Sequence, residues 1–413
     1  MSAAKSPQIP ASSSAGLTSP APPGEPVREG AYLQLVLATI GFGVNFWAWA
    51  LMSPLGPTYK HDLSLSPFQQ SLVVAVPVLV GSLGRIPIGG LTDRYGARVM
   101  FPVVSLLTVL PVLFVGYYGT SLARLLLGGF FLGLGGTAFA VGVPLVNSWF
   151  PPARRGLALG IFGVGMGGTA ISAFTTVKLV EAHSISFPFA VVAWVLVAYA
   201  VVALLFVRDV PGRIAASGGF WNRTWMTLKM KVTLQLSALY AVGFGGFVAF
   251  SVYLPTYLQN AYGLTQSDAA NRTAGFVVLA VVARPVGGYL SDRFHPVSVL
   301  VTCFAVVAAL AIVASLHMTL VPVPTIAFLG MAAMLGAAAG AVFALVARVA
   351  PPDKVGSVTG VVGAAGGLGG FLPPLVMGVT YGAFGNYTFG YVLLAVVAAM
   401  AALYTWAEMR TVT

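Results

Sequence analysis

The sequence predicts an all-α membrane protein of twelve transmembrane helices in two pseudo-symmetric six-helix bundles. Composition is the first reason. Of 413 residues, 58% are hydrophobic and 8% charged, with a mean hydropathy of +0.91. A soluble domain carries about 25% charged residues, so this balance belongs to a chain whose solvent is lipid. The second reason is that apolar runs long enough to cross a bilayer occur twelve times. The third is that the pattern of the first half returns in the second, 199 to 200 residues later.

Residues 1–30 are rich in Ser, Pro and Ala and lack an apolar core, which reads as a disordered cytoplasmic tail and not a signal peptide. Six apolar runs follow at about 31–53, 68–91, 99–118, 121–149, 156–178 and 185–207. The polar stretch 208–231 holds Arg208, Arg213, Arg223, Lys229 and Lys231 and reads as a basic cytoplasmic linker. Six further runs lie at about 232–260, 271–291, 296–318, 323–349, 356–381 and 386–407. The domains expected are thus an N-terminal bundle over 31–207, a C-terminal bundle over 232–407 and a cytoplasmic tail at 408–413. The 49 glycines suit helices packed closely in lipid.

The formal charge of +11 is spread singly over short loops, which is an orientation signal and not a polyanion-binding patch. Nucleic acid is therefore not an expected partner; the bilayer is. Arg94, Arg98, Arg154, Arg155, the linker, Arg293, Lys354 and Arg410 fall on one side. Lys60, Lys178 and Arg272 fall on the other, with Arg124 close to that face. The excess places both termini in the cytoplasm of a multi-pass protein of the cell membrane. Cys303 is the only cysteine and forms no internal disulfide. His61, His183, His295 and His317 do not cluster, so no metal is expected, and no cofactor motif occurs.

The repeat is specific. Pro151-Pro152, Gly156, Gly160, Gly163 and Gly167 return as Pro351-Pro352, Gly356, Gly360, Gly363 and Gly367. At helical spacing each set makes a smooth face for close packing or sliding of a neighbouring helix. Gly163, Gly167, Gly363 and Gly367 are the candidate packing and gating positions. Arg85 and Arg284 repeat as well, each eight residues ahead of an Asp-Arg pair: Asp93-Arg94 and Asp292-Arg293. At about 1.5 Å per residue, each guanidinium sits roughly 12 Å deeper in the membrane than its aspartate. Such a charge costs at least about 2.5–3.5 kcal/mol on insertion scales, so it is not idle there. With no carboxylate well inside any apolar run, the pair points to a small anion.

These residues resemble the major facilitator superfamily over essentially all of 31–407. The stretch G89-x-L91-x-D93-R94-x-G96-x-R98 matches the superfamily signature between its second and third helices. The second copy, G288-x-L290-x-D292-R293, is cut short by His295-Pro296. Asp93, Arg94, Asp292 and Arg293 are thereby implied to form a conformational latch. Within the superfamily the chain is most similar to the nitrate/nitrite porters. That resemblance rests on the paired arginines, on NFWAWALMSPLGP at 45–57, and on GIFGVGMGGTA at 160–170 with GVVGAAGGLGGFLPP at 360–374. It implies that Arg85 and Arg284 bind the anion, with Tyr240 as hydroxyl contact, Phe244 as aromatic wall and Phe46 as an aromatic of the first helix. Members often carry asparagines in the fifth-helix glycine stretch, where this chain has Phe162 and Gly167. Thr169 is the nearest polar side chain there.

Guanidinium is planar, permanently protonated and multiply donating, so it holds the oxygens of a planar oxyanion without surrendering a proton. Two facing cations resist closure until an anion lies between them, which predicts nitrate/nitrite exchange by alternating access in a monomer. Other readings remain open at this point. One is a related carrier for cyanate, formate, oxalate or a small carboxylate; the other is a membrane anion sensor that does not transport. An enzyme is not expected, since no nucleophile–base pair is present.

Overall fold

The computed structural model describes residues 27–213, 220–316, 318–350 and 355–409. The expectations for most of the N-terminal tail, for Pro351-Pro352, for Lys354 and for residues 410–413 lie outside them. Twelve helices among the described residues are long and apolar enough to cross a membrane. Spans 1 to 6 are Ala31–Trp49, Pro67–Tyr95, Ala97–Tyr118, Leu122–Trp149, Leu157–Ala182 and Phe187–Phe206. Spans 7 to 12 are Lys231–Tyr262, Gln266–Phe294, Pro296–Ala314, Val323–Val346, Ser357–Phe384 and Thr388–Glu408. Each starts and stops within five residues of its apolar run. The largest difference is at span 8, where a polar first turn extends the helix. Thr265 accepts from the Asp268 backbone N–H, and Arg272 pairs with Asp268 one turn on.

Packing follows the internal repeat. Span 1 lies on span 5, span 2 on span 4 and span 3 on span 6; span 7 lies on span 11, span 8 on span 10 and span 9 on span 12. The halves meet through the exchanged pairs 2 with 11 and 5 with 8. The loops between spans 2 and 3 and between spans 8 and 9 also repeat in backbone form. Gly96 has φ +85°, and the Asp209 carboxylate occupies the space where its Cβ would be. Asp209 also accepts from the Ala97 N–H at 2.8 Å, capping span 3. His295 stands where the second copy departs from the signature, and it holds φ +76° despite its side chain.

Among the described residues, four spans are interrupted within their length. Span 2 breaks at Gly84, ahead of Pro87, which has no N–H for the preceding turn. Span 4 tightens to a 3₁₀ turn over Gly133–Thr137, and span 5 over Val164–Gly167. Span 11 breaks at Gly370 and Phe371, because Pro373 and Pro374 cannot donate to the carbonyls four residues back. Within a membrane such irregular backbone is tolerated only where it is buried in protein or lines a cavity.

The face opposite the basic loops is sealed between the halves. Ser53 donates to the carbonyls of Ser251 and Val252 at 3.2 and 2.7 Å. Gln266 donates to the carbonyl of Pro54 at 2.8 Å and to the Thr58 hydroxyl at 2.7 Å. On the basic face the linker holds a short helix, Phe220–Leu228. Arg213 of the linker donates to the carbonyls of Asp93 and Arg94, capping the end of span 2.

Candidate functional site

Arg85 opens the second segment of span 2, and Arg284 lies in the unbroken span 8. Both are 4% exposed, so neither reaches solvent freely. Each reaches into the other half. Arg85 Nη1 donates to the carbonyl of Gly363 in span 11 at 2.5 Å, and its Nε to Gly136 in span 4 at 3.2 Å. Arg284 Nη1 lies 3.1 Å from the Met166 sulfur in span 5, and its Nη2 donates to the Tyr240 hydroxyl at 3.2 Å. These acceptors are all neutral: two backbone carbonyls, a thioether and a phenol. Neutral acceptors hold a guanidinium more weakly than an anion does.

The two cations share one ring. The Cζ of Arg85 is 5.8 Å from the Phe244 ring centre and that of Arg284 is 5.7 Å from it. Phe139 lies 5.1 Å from Arg85, and Phe343 lies 5.4 Å from Arg284. Tyr240 stacks on Phe244 at 5.0 Å with the rings nearly parallel. These rings form an aromatic chamber around the two guanidiniums. Both guanidiniums lie within 5.8 Å of one ring centre, so they are at most about 11.5 Å apart, and at an effective dielectric of ~20 they repel by at least about 1.4 kcal/mol, which a bound anion relieves.

Of the residues singled out in the sequence, Arg85, Arg284, Tyr240 and Phe244 come together here. Phe46 is fully buried behind them, edge-to-face with Phe42, which in turn meets Phe139. Thr169 turns its hydroxyl back to the Met166 carbonyl at 3.0 Å and so spends its donor within its own helix. The glycines face the opposite half. A Cβ on Gly163 would lie 3.2 Å from Arg284 Nε, and one on Gly363 would lie 2.8 Å from the Phe139 ring. Gly167 faces Val281 of span 8, and Gly367 packs onto Ser82 of span 2. Asp93 and Asp292 lie away from the chamber at the basic face, each at the mouth of a cavity. One cavity of about 280 Å³ runs from Arg85 to Asp93, and another of about 240 Å³ from Arg284 to Asp292. Phe139 lines both.

Sequence reasoning missed Met166, Phe139 and Phe343. The Phe139 and Phe343 spans carried no polar signal, and 26 phenylalanines give no reason to choose two. The methionine had a usable clue: it sits between glycines in the stretch that follows Gly163.

Two buried arginines contributed by repeated halves of twelve spans, each lining a cavity, belong to a membrane carrier. The chain belongs to the major facilitator superfamily, whose model matches residues 38–374 and 270–411. It is 50% identical over 389 residues to the "Probable nitrate/nitrite transporter NarK2" of Mycobacterium tuberculosis, covering 92% of this chain and 98% of that one. It is 36% identical over 379 residues to the "Nitrite extrusion protein" of Bacillus subtilis, covering 89% and 92%. The "Probable nitrate transporter NarT" of Staphylococcus haemolyticus is 35% identical over 373 residues, covering 89% and 94%. Among solved structures, a bacterial homolog of the human lysosomal transporter Spinster, inward-facing and unoccupied, aligns with a TM-score of 0.74. It is 18% identical and covers 93% of this chain and 98% of that one, a likeness of fold alone.

Proposed function

We propose that this protein carries nitrate and nitrite across the cell membrane by alternating access, exchanging one anion for the other. The observation that carries the reading is the convergence of Arg85 and Arg284, from opposite halves, on the Phe244 ring with neutral acceptors only. A planar anion entering between them replaces weak acceptors with charged ones and lets both arginines stay engaged while the halves rock. Phe139, Phe244 and Phe343 restrict the ligand to a flat shape, and the Tyr240 hydroxyl adds one directional contact. The names of the relatives support the choice of nitrate and nitrite among flat anions.

The coupling follows from charge. Without an anion, the cationic chamber resists closing, so the empty carrier reorients slowly and the loaded one quickly. On this reading the basic loops and both termini are cytoplasmic, the two cavities are the cytoplasmic vestibules, and the seal through Ser53 and Gln266 closes the outer side. Asp93, Arg94, Asp292 and Arg293 then act as the latch at the vestibule mouths. The glycine faces on spans 5 and 11 are the surfaces along which the halves move.

The experiment is counterflow in proteoliposomes. Labelled nitrite is added outside vesicles that hold nitrate, nitrite, formate or no permeant anion. Fast uptake only into nitrate- or nitrite-loaded vesicles supports exchange of these two anions. Equal uptake into empty vesicles contradicts exchange, and equal uptake against formate contradicts the choice of substrate.

A further inference from the structure

We propose that the groove between spans 7, 11 and 12 binds one acyl chain of a phospholipid from the leaflet opposite the basic loops, and that this chain props the break in span 11. The groove encloses about 370 Å³ and is separate from the arginine chamber. Its back wall is one face of span 7 from Ala241 to Tyr257. At about 1.5 Å per residue that wall is roughly 24 Å long, so the space is a slot along the helix axis and not a round pocket.

Three features say what occupies it. The lining is apolar except at one end, which excludes a polar solute. Its flank is open where the protein meets lipid: Leu372 is 62% exposed and Leu393 is 39% exposed. The polar end carries Tyr253, Tyr257 and Tyr391. Behind that end, outside the groove lining, the Tyr253 and Tyr387 hydroxyls meet at 3.4 Å, and Asn260 donates to Tyr387 at 3.0 Å. A slot with an apolar length and a hydroxyl cluster at the interface end matches an amphiphile lying along the membrane normal, tail in and ester outward.

The inner end touches the mechanism. Gly369, Leu372 and Pro373 line the groove on either side of the break at Gly370 and Phe371. Two turns before the break, the same helix offers the Gly363 carbonyl to Arg85, and Gly366 seats the Tyr240 and Phe244 rings. A chain in the slot therefore limits how far span 11 bends at the point that positions the arginine chamber. The groove is tied to transport rate and not to anion recognition.

The test uses the full-length protein in vesicles containing phosphatidylcholine with a diazirine in mid-chain, followed by irradiation and peptide mapping. Labelling enriched several-fold at Met377 and Leu393 over lipid-facing positions such as Trp194 and Leu110 is expected. Even labelling across all lipid-facing spans overturns the site. Ala249→Phe fills the slot from the back wall, and Leu393→Trp narrows it from the lipid side should the first variant misfold. Either is expected to remove the enrichment and to change the counterflow rate several-fold with KM unchanged. Loss of labelling with an unchanged rate overturns the propping role. The labelling readout needs no substrate, so it stands apart from the anion reading.

Discussion

Arg85→Lys keeps the positive charge and removes the fork. In the structure, Arg85 uses two nitrogens on acceptors in two helices, Gly136 at 3.2 Å and Gly363 at 2.5 Å, while its plane faces the Phe139 ring at 5.1 Å. Lysine carries its three donors on one nitrogen, so it cannot span two acceptors placed for the separate Nε and Nη1 of a planar fork. A hydrogen bond from a charged donor is worth about 1.5–3 kcal/mol, and a desolvated cation–aromatic contact adds about 0.5–2 kcal/mol. Lysine keeps one charged hydrogen bond and part of the aromatic contact and loses the other bond, a deficit of about 1.5–3 kcal/mol. That is about a ten- to hundredfold loss in exchange, at about 1.4 kcal/mol per factor of ten. The assay is nitrate/nitrite counterflow on purified protein, with thermal unfolding run in parallel to show that the variant folds. Exchange within a few-fold of the parent in a folded Arg85→Lys protein refutes the requirement for a bidentate planar donor.

Met166→Leu removes the sulfur acceptor of Arg284 and leaves its N–H free for substrate; nitrite affinity is expected to rise by about 1 kcal/mol, roughly fivefold. Met166→Gln supplies a stronger neutral acceptor and is expected to weaken binding by a similar factor, both read by equilibrium titration. Gly363→Ala drives a methyl into the Phe139 ring and is expected to slow counterflow at least tenfold, on the scale of overpacking. Gly360→Ala meets nothing within 4 Å and serves as the neutral control. Ser53→Ala removes the hydroxyl that bridges to Ser251 and Val252, and about 1 kcal/mol lost from the seal opposite the basic loops shifts the population roughly fivefold toward opening. Faster hydrogen exchange of the backbone around Ser251–Thr256 reads that shift. Exchange rate is expected to stay flat between pH 6 and 8, because an arginine remains cationic well above that range; a steep slope in a pH series points to a titrating partner instead.

The spans, their repeat and the buried arginines were all legible, for a common reason. Each is a local statement about hydropathy, and lipid enforces it residue by residue. Contacts across the halves were not legible. Gly163 and Gly363 read as packing surface, yet they sit against Arg284 and Phe139 because spans 5 and 11 cross to the opposite half, which periodicity does not encode. Thr169 was chosen as the nearest polar group in the fifth helix. Its hydroxyl instead bonds one turn back to Met166, the usual fate of a threonine in a buried helix. The helix breaks were not legible either: Pro87, Pro373 and Pro374 stand at them, but Pro255 and Pro285 sit inside unbroken helices. Which carbonyls would meet Arg85 depended on the fold.

The claim that one anion is shared by Arg85 and Arg284 is tested most directly by nitrate titration calorimetry on four proteins: the parent, Arg85→Lys, Arg284→Lys and the double variant. If a single anion bridges both guanidiniums, either substitution alone removes most of the binding free energy and the double variant loses little more. Fully additive losses, or one variant that keeps a normal binding site at half the stoichiometry, contradict it.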